Sequence, residues 1–466
     1  MKKPNFVLKI FEGFKNPNPM GLLIFQAYIT MFTLIQTWVL QYKDLTGNAG
    51  LINRISFQVN DPPFLPSGNA PQVILYKHFF GDWENLLDLA RSENPYLIPN
   101  AASQTPPIGN MILKILSNFG TKYSFALLLI ASAVIWLFLF RKVFKEQVFF
   151  FASLSIILYV GLTLPVIYSF DRGSLHILAF GLVGIAWYLF TIKKNIGAVT
   201  FFIVAVSFKP QLLLALLLLL ISRDFLKIIK SIFLVITSNI LCLLYFEGNP
   251  LLSIQGYVKG TLFFTSKDSL GYTLDSASLS GFLLRRYEGE SSAGNLSSWL
   301  IDQRFGLLLP GLVLILIFLP IILSNIISQR VKIFLVLSLT SLVVPASMAY
   351  TMVWASLAII PFLTQRFNFR SLAGVGSIQE ERNQTVNSNN INPAVEKVWH
   401  FSDFLSLLVI TLVLTPSFIV HWTGVRNISF SRDYYPVLVL LVCMVSYLEM
   451  LNTTRKKKSQ SINLFH

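Results

Sequence analysis

Residues 77–107 read KHFFGDWENLLDLARSENPYLIPNAASQTPP, and the reading of the whole chain turns on this stretch. It is an acidic, aromatic, proline-punctuated island between very apolar segments. Asp82, Glu84, Asp88 and Glu93 fall within it, in a chain with 22 acidic residues against 37 basic ones. Gly81-Asp82-Trp83 opens an amphipathic run with Leu86, Leu87 and Leu89 on its apolar side. Pro95, Pro99, Pro106 and Pro107 then break any helix. Held against a membrane, such a segment places a carboxylate beside a lipid-borne substrate.

The flanking sequence supplies that membrane. Of 466 residues, 54% are hydrophobic and 13% charged. Soluble domains carry about a quarter charged residues, so the polar surface here is too small for one. Apolar runs near the ~20-residue length of a bilayer span recur along the chain. The net charge of +15 raises nucleic acid as a partner. Its placement excludes that: the cations sit in short clusters between apolar runs, as cytoplasmic loops do. The two cysteines, Cys242 and Cys443, lie inside apolar runs and read as small core residues rather than a disulfide or metal site. No clustered His, Cys and acidic set has metal-ligand spacing, and no cofactor is expected.

This predicts an all-α polytopic protein with about eleven to thirteen helical segments and both termini in the cytoplasm. A signal anchor spans roughly residues 20–40 and leads into a long first outer loop, 41–107, that carries amphipathic helix. Residues 108–119 read as a short interfacial helix or as the start of the next span. Segments 124–140 and 149–170 follow, and the short polar turn Asp171-Arg172-Gly173-Ser174 leads to 175–192. The runs 196–208 and 211–221 are each below full span length. They are joined by Lys209-Pro210 and flanked by Lys193, Lys194, Arg223, Lys227 and Lys230. They read as a helical hairpin whose tip lies within the membrane or near its outer face, with Lys209 at a depth where charge is expensive. A second outer loop, 247–304, holds Arg285 and Arg286, and a polar cytoplasmic loop covers 365–400. Residues 1–246 and 247–466 form two modules.

A carboxylate near several cations at one face of a bilayer suits a reaction on a lipid phosphate. The carboxylate takes a proton from a hydroxyl, and Lys or Arg holds the phosphate and stabilises it as a leaving group. Asp82, Arg172 and Lys209 are the residues that fit these roles.

The ordered set Gly81-Asp82, Asn94-Pro95-Tyr96, Pro106-Pro107, Phe170-Asp171-Arg172-Gly173-Ser174 and Phe208-Lys209-Pro210-Gln211, with a leucine run ending in Arg223, resembles the membrane glycosyltransferases of the GT-C superfamily. Within it the chain is most similar to the bacterial polyprenol-phosphate-mannose-dependent alpha-mannosyltransferases. The likeness covers most of the first half and weakens after Phe246. It implies a polyprenyl-phosphate sugar donor, with mannose as the sugar, and a glycan or lipid acceptor at the extracytoplasmic face. It also implies a metal-free reaction in which Asp82 is the general base and the sugar carbon inverts. Members of the family carry Trp and His near the outer end of a late helix pair. Here the matching stretch, 345–350, has no His: either Tyr350 takes part of that role or the acceptor chemistry differs.

Each of these residues has a plainer reading. Asp82 also reads as a solvated carboxylate or a helix cap beside Gly81, and Glu84 and Asp88 as surface charge. Arg172 beside Asp171 also closes a tight turn. His176, one turn into a helix, reads as a packing residue as readily as a ligand. Arg285 and Arg286 touch headgroups as readily as a substrate phosphate. Two other functions stay open: a secondary transporter or flippase for lipid-linked oligosaccharide, which also uses broken helix pairs, and a polysaccharide polymerase or ligase.

Overall fold

The computed structural model describes residues 81–98, 103–143, 166, 169, 173–263, 276–287, 306–345, 349–363, 400–414 and 434–463. The signal anchor, most of the first outer loop, the segment 149–165 and the cytoplasmic loop 365–399 lie outside these residues. Among the described residues all regular structure is helical. Four helices are long and apolar enough to cross a membrane: Gly120–Lys142, Phe225–Tyr245, Gly306–Leu323 and Tyr435–Arg455.

The island forms helix α1, Gly81–Arg91. Trp83, Leu87 and Ala90 are fully buried, and Glu84, Asn85 and Asp88 face out. The buried stripe is therefore centred on Leu87, with Leu86 only packed against its edge. Counting leucines misses Trp83, which contributes the largest side chain of that face. Helix α2, Pro107–Ser117, has its proline at the first turn, where no amide hydrogen is needed. It is a separate helix, because Gly120 at φ +72° turns the chain into α3, Gly120–Val143. The loop between α1 and α2 is tied down by side-chain amides. Asn94 Nδ2 donates to Glu247 O at 2.7 Å and to Ser253 Oγ at 2.8 Å. Asn110 Nδ2 donates to Tyr96 Oη at 2.8 Å and Ser103 Oγ at 2.9 Å. Lys114 Nζ caps the end of α1 at Ser92 O, 3.1 Å away.

Helices α4, His176–Thr191, and α5, Asn195–Phe208, pack side by side. The next run, Pro210–Ser222, is a 3₁₀ helix of 13 residues. At ~2.0 Å per residue it reaches roughly 26 Å, where an α-helix of that length reaches roughly 20 Å. Both expected runs form, one on either side of Lys209, and the second is stretched close to the ~30 Å of a hydrocarbon core. Helices α6, Phe225–Cys242, and α7, Pro250–Phe263, follow. At Gly256, α7 sits so close to the first loop that an added Cβ would lie 2.0 Å from Tyr96 O.

The second half contains α8, Leu279–Tyr287; α9, Leu309–Leu323; α10, Gln329–Leu342; α11, Trp354–Ala358; α12, Ile360–Leu363; α13, Phe401–Leu414; and α14, Tyr435–Asn463. Every residue from Val331 to Leu342 in α10 is buried, with the 3₁₀ helix packed against it. Its polar side chains are satisfied locally: Ser338 Oγ donates to Leu335 O at 2.8 Å and Thr340 Oγ1 to Leu337 O at 2.6 Å. One apolar core runs from Trp83 through the 3₁₀ leucines and α10 to Cys443, so the core is continuous across residue 246. Outside it, α6 and α14 expose broad apolar faces, including Ile229, Phe233, Leu441 and Met444. Both cysteines are free.

Candidate functional site

Two connections and one helix start meet where α4 begins and α5 ends. Gly173 stands at φ +68°, a backbone conformation that glycine adopts without a steric penalty. An added Cβ there would lie 2.5 Å from Trp83 Cβ, so the turn lies directly on the first turn of α1. Trp83 is fixed in its place from the other side: its Nε1 donates to Ser124 Oγ at 3.1 Å, and its ring meets Phe125 edge-on at 6.2 Å. The turn is closed by Ser174 N donating to Ser169 O at 2.8 Å.

From the turn a polar chain leads to the hairpin tip. Ser174 Oγ lies 2.6 Å from His176 Nδ1, and Gln211 Nε2 lies 3.2 Å from His176 Nε2. An amide nitrogen only donates, so Nε2 accepts, the ring proton sits on Nδ1, and Nδ1 donates to Ser174 Oγ. His176 is 2% exposed and its ring stacks on Phe180 at 6.4 Å. Lys209, two residues before Gln211, is within electrostatic reach of the same imidazole. The lysine is half-buried, and its backbone is extended at φ −142°. Pro210 imposes that conformation, because proline disfavours helical geometry in the residue before it.

The expected site residues divide as follows. The backbone of Asp82, next to Trp83, is on the first turn of α1 and so beside Gly173. Lys209 and His176 are joined to the same junction through Gln211. Arg172 lies outside the described residues, one position before Gly173. Glu84 is exposed on α1. Tyr350, described by its backbone alone, is in the 3₁₀ turn Ala349–Val353, which packs against α4. Leu357, in the helix that follows, meets α4 at Gly184. Arg285 and Arg286, also described by backbone alone, are on α8. That helix is held through Ser278 Oγ to Pro345 O at 2.7 Å and Ser280 Oγ to Leu307 O.

The residues that bind this junction together were only partly visible beforehand. Trp83, Ser174 and Gln211 all stand inside the quoted motifs, yet their pairings span 41 and 35 positions of chain. Asn94-Pro95-Tyr96 is part of the family likeness, and its role here is to anchor the loop. Among the described residues, no three His, Cys, Asp or Glu side chains converge as a metal site. The arrangement brings a carboxylate-bearing helix start against a glycine turn, with a half-buried cation close behind. Comparison with protein-family models, curated proteins and solved structures finds no match for this chain.

Proposed function

We propose that this chain is an inverting, multi-pass membrane glycosyltransferase that moves a sugar from a polyprenyl-phosphate donor to a glycan or lipid acceptor. Asp82 is the general base, and Lys209 and Arg172 hold the donor phosphate. The reaction runs on the extracytoplasmic side, and the shorter apolar helices cross with the four long ones. A mannosyl donor is the choice the family likeness favours.

The observation that carries this reading is the contact of Gly173 with Trp83. It places the residue after Asp82 against the residue after Arg172, while Ser174, His176 and Gln211 connect that turn to Lys209. Asp82 and Arg172 are each the chain neighbour of a residue in that contact, and this supports assigning the base and the two cations to one site. Lysine or arginine aimed at a phosphate leaving group stabilises the charge that develops as the glycosidic bond breaks. A carboxylate that removes the acceptor proton contributes typically 10²–10⁴-fold in rate.

The test is sugar transfer from radiolabelled polyprenyl-phosphate-mannose in membranes carrying the parent chain or Asp82→Asn. Transfer should fall by roughly 10²–10⁴-fold in the variant at equal protein level. Unchanged transfer removes Asp82 as the base. The long 3₁₀ arm and the break at Lys209-Pro210 favour a second reading, a transporter with a moving half-helix. Counterflow of a lipid-linked oligosaccharide across vesicles, without sugar transfer, is the result that selects it.

A further inference from the structure

The other end of the helix layer carries a different chemistry. Lys193 and Lys194 join α4 to α5, Arg223 ends the 3₁₀ helix, and Lys227 and Lys230 lie in the first turns of α6. Their common height follows from the packing. Helices α5 and α6 are bonded through Ser207 and Asn239, with Asn239 Nδ2 donating to Ser207 Oγ at 3.2 Å. Lys194 stands just before the start of α5 and Lys227 in the first turn of α6, so both cations lie at the far ends of their helices from that bond.

Among the described residues, three carboxylates at this end are already engaged. Asp224 pairs with Lys227 at 2.7 Å and accepts from its backbone N at 3.1 Å. Asp403 accepts from Ser328 Oγ and from His400 N. Glu449 accepts from Ser402 N at 3.0 Å and Ser402 Oγ at 2.6 Å. Lys193, Lys194, Arg223 and Lys230 are exposed cations here, with Arg223 Nη2 donating to the neutral Asn325 Oδ1 at 2.9 Å.

Two further observations identify what these cations face. Lys230 stands between Ile229 and Phe233, which are 64% and 65% exposed, so charge and apolar surface are continuous on one helix. Lys193 and Arg223, at φ 61° and 57°, are the two non-glycine residues with positive φ among the described residues. That conformation is strained for a side chain with a Cβ. The chain holds a long cation at both corners where glycine would be unstrained.

We propose that Lys194, Arg223 and Lys230 form a binding surface for the headgroups of anionic phospholipids, whose acyl chains lie on Ile229 and Phe233. A small soluble anion has no use for the apolar flank, whereas a lipid engages both parts. This surface is at the opposite end from the Trp83–Gly173 junction, and it stands whether or not the chain is a glycosyltransferase.

The test is native mass spectrometry of the detergent-solubilised full chain titrated with phosphatidylglycerol or phosphatidylcholine. The parent should retain phosphatidylglycerol preferentially. Lys194→Gln/Lys230→Gln should weaken its binding on the order of thirtyfold, at about 1 kcal/mol per cation. Lys122→Gln/Lys259→Gln, at the other end, should bind as the parent does. Equal retention of the two lipids by the parent overturns the proposal, even if the double variant fails to fold. So does phosphatidylglycerol binding unchanged in the folded double variant, or displacement of the lipid by inorganic phosphate, which marks a small-anion site.

Discussion

Lysine sits in two different environments at the two ends of this molecule. Lys209 is half-buried within electrostatic reach of His176, on a connection held by Gln211. Lys193 and Lys194 are exposed at the opposite end, where α4 turns into α5. Around Lys209 the neighbouring polar side chains are buried and hydrogen-bonded to one another; at the second end the lysines face out. Desolvating a cation is costly, so a half-buried lysine with apolar helices on either side is a functional candidate. Exposed lysines at helix corners serve orientation and headgroup contact. The local environment, more than the residue type, separates site from surface.

Glycine geometry gives the largest expected contrast between the ends. Gly173→Ala adds a Cβ 2.5 Å from Trp83 Cβ at φ +68° and should destabilise by about 2–4 kcal/mol, read by thermal unfolding in detergent. Lys193→Gly at the other end removes strain and should raise stability by up to about 1 kcal/mol. Equal effects of the two changes would erase the distinction drawn here.

His176→Phe sharpens it next. The ring volume is kept, but Ser174 and Gln211 lose their partner, at about 1–3 kcal/mol. His176→Gln, which can still bridge, should recover part of that loss. No difference between the two variants would mean that the imidazole is packing alone.

The smallest effect belongs to Asp224, the cap of α6. Burial pushes its carboxyl up, but the hydrogen bonds and charge of Lys227 outweigh that and hold it below the ordinary value. The folded-state value is the lower one, so its contribution is present at neutral pH and is lost as pH falls through that depressed value. Asp224→Ala should cost about 1 kcal/mol at neutral pH. The difference from the parent should shrink in acid, and a difference that grows in acid would contradict the assignment.

Much of this layout was legible in the sequence, for reasons that can be named. Lys193-Lys194, Lys209-Pro210 and Arg223 punctuate the apolar runs, so α5 and its partner arm begin and end where expected. The 3₁₀ form of that arm was not legible, because a run of leucines that is apolar all round carries no period to distinguish the two helices. The deep burial of α10 was also hidden. Ser338, Thr340 and Ser341 look like polar surface until their hydroxyls are seen bonded to their own helix. At the site, Asp82, Lys209 and the 171–174 turn stood out as charge in an apolar chain. The Ser174–His176–Gln211 bridge did not, since nothing local to His176 signals a partner in a distant connection.

The central claim is that the junction of Gly173, His176 and Lys209 receives the phosphate of a lipid donor. A cryo-electron microscopy map of the chain with bound polyprenyl phosphate tests it most directly. Phosphate density is expected beside Lys209 and the Gly173 turn, within reach of the first turn of α1. Phosphate density found instead among Lys193, Lys194 and Arg223, with the Gly173 junction empty, would contradict it.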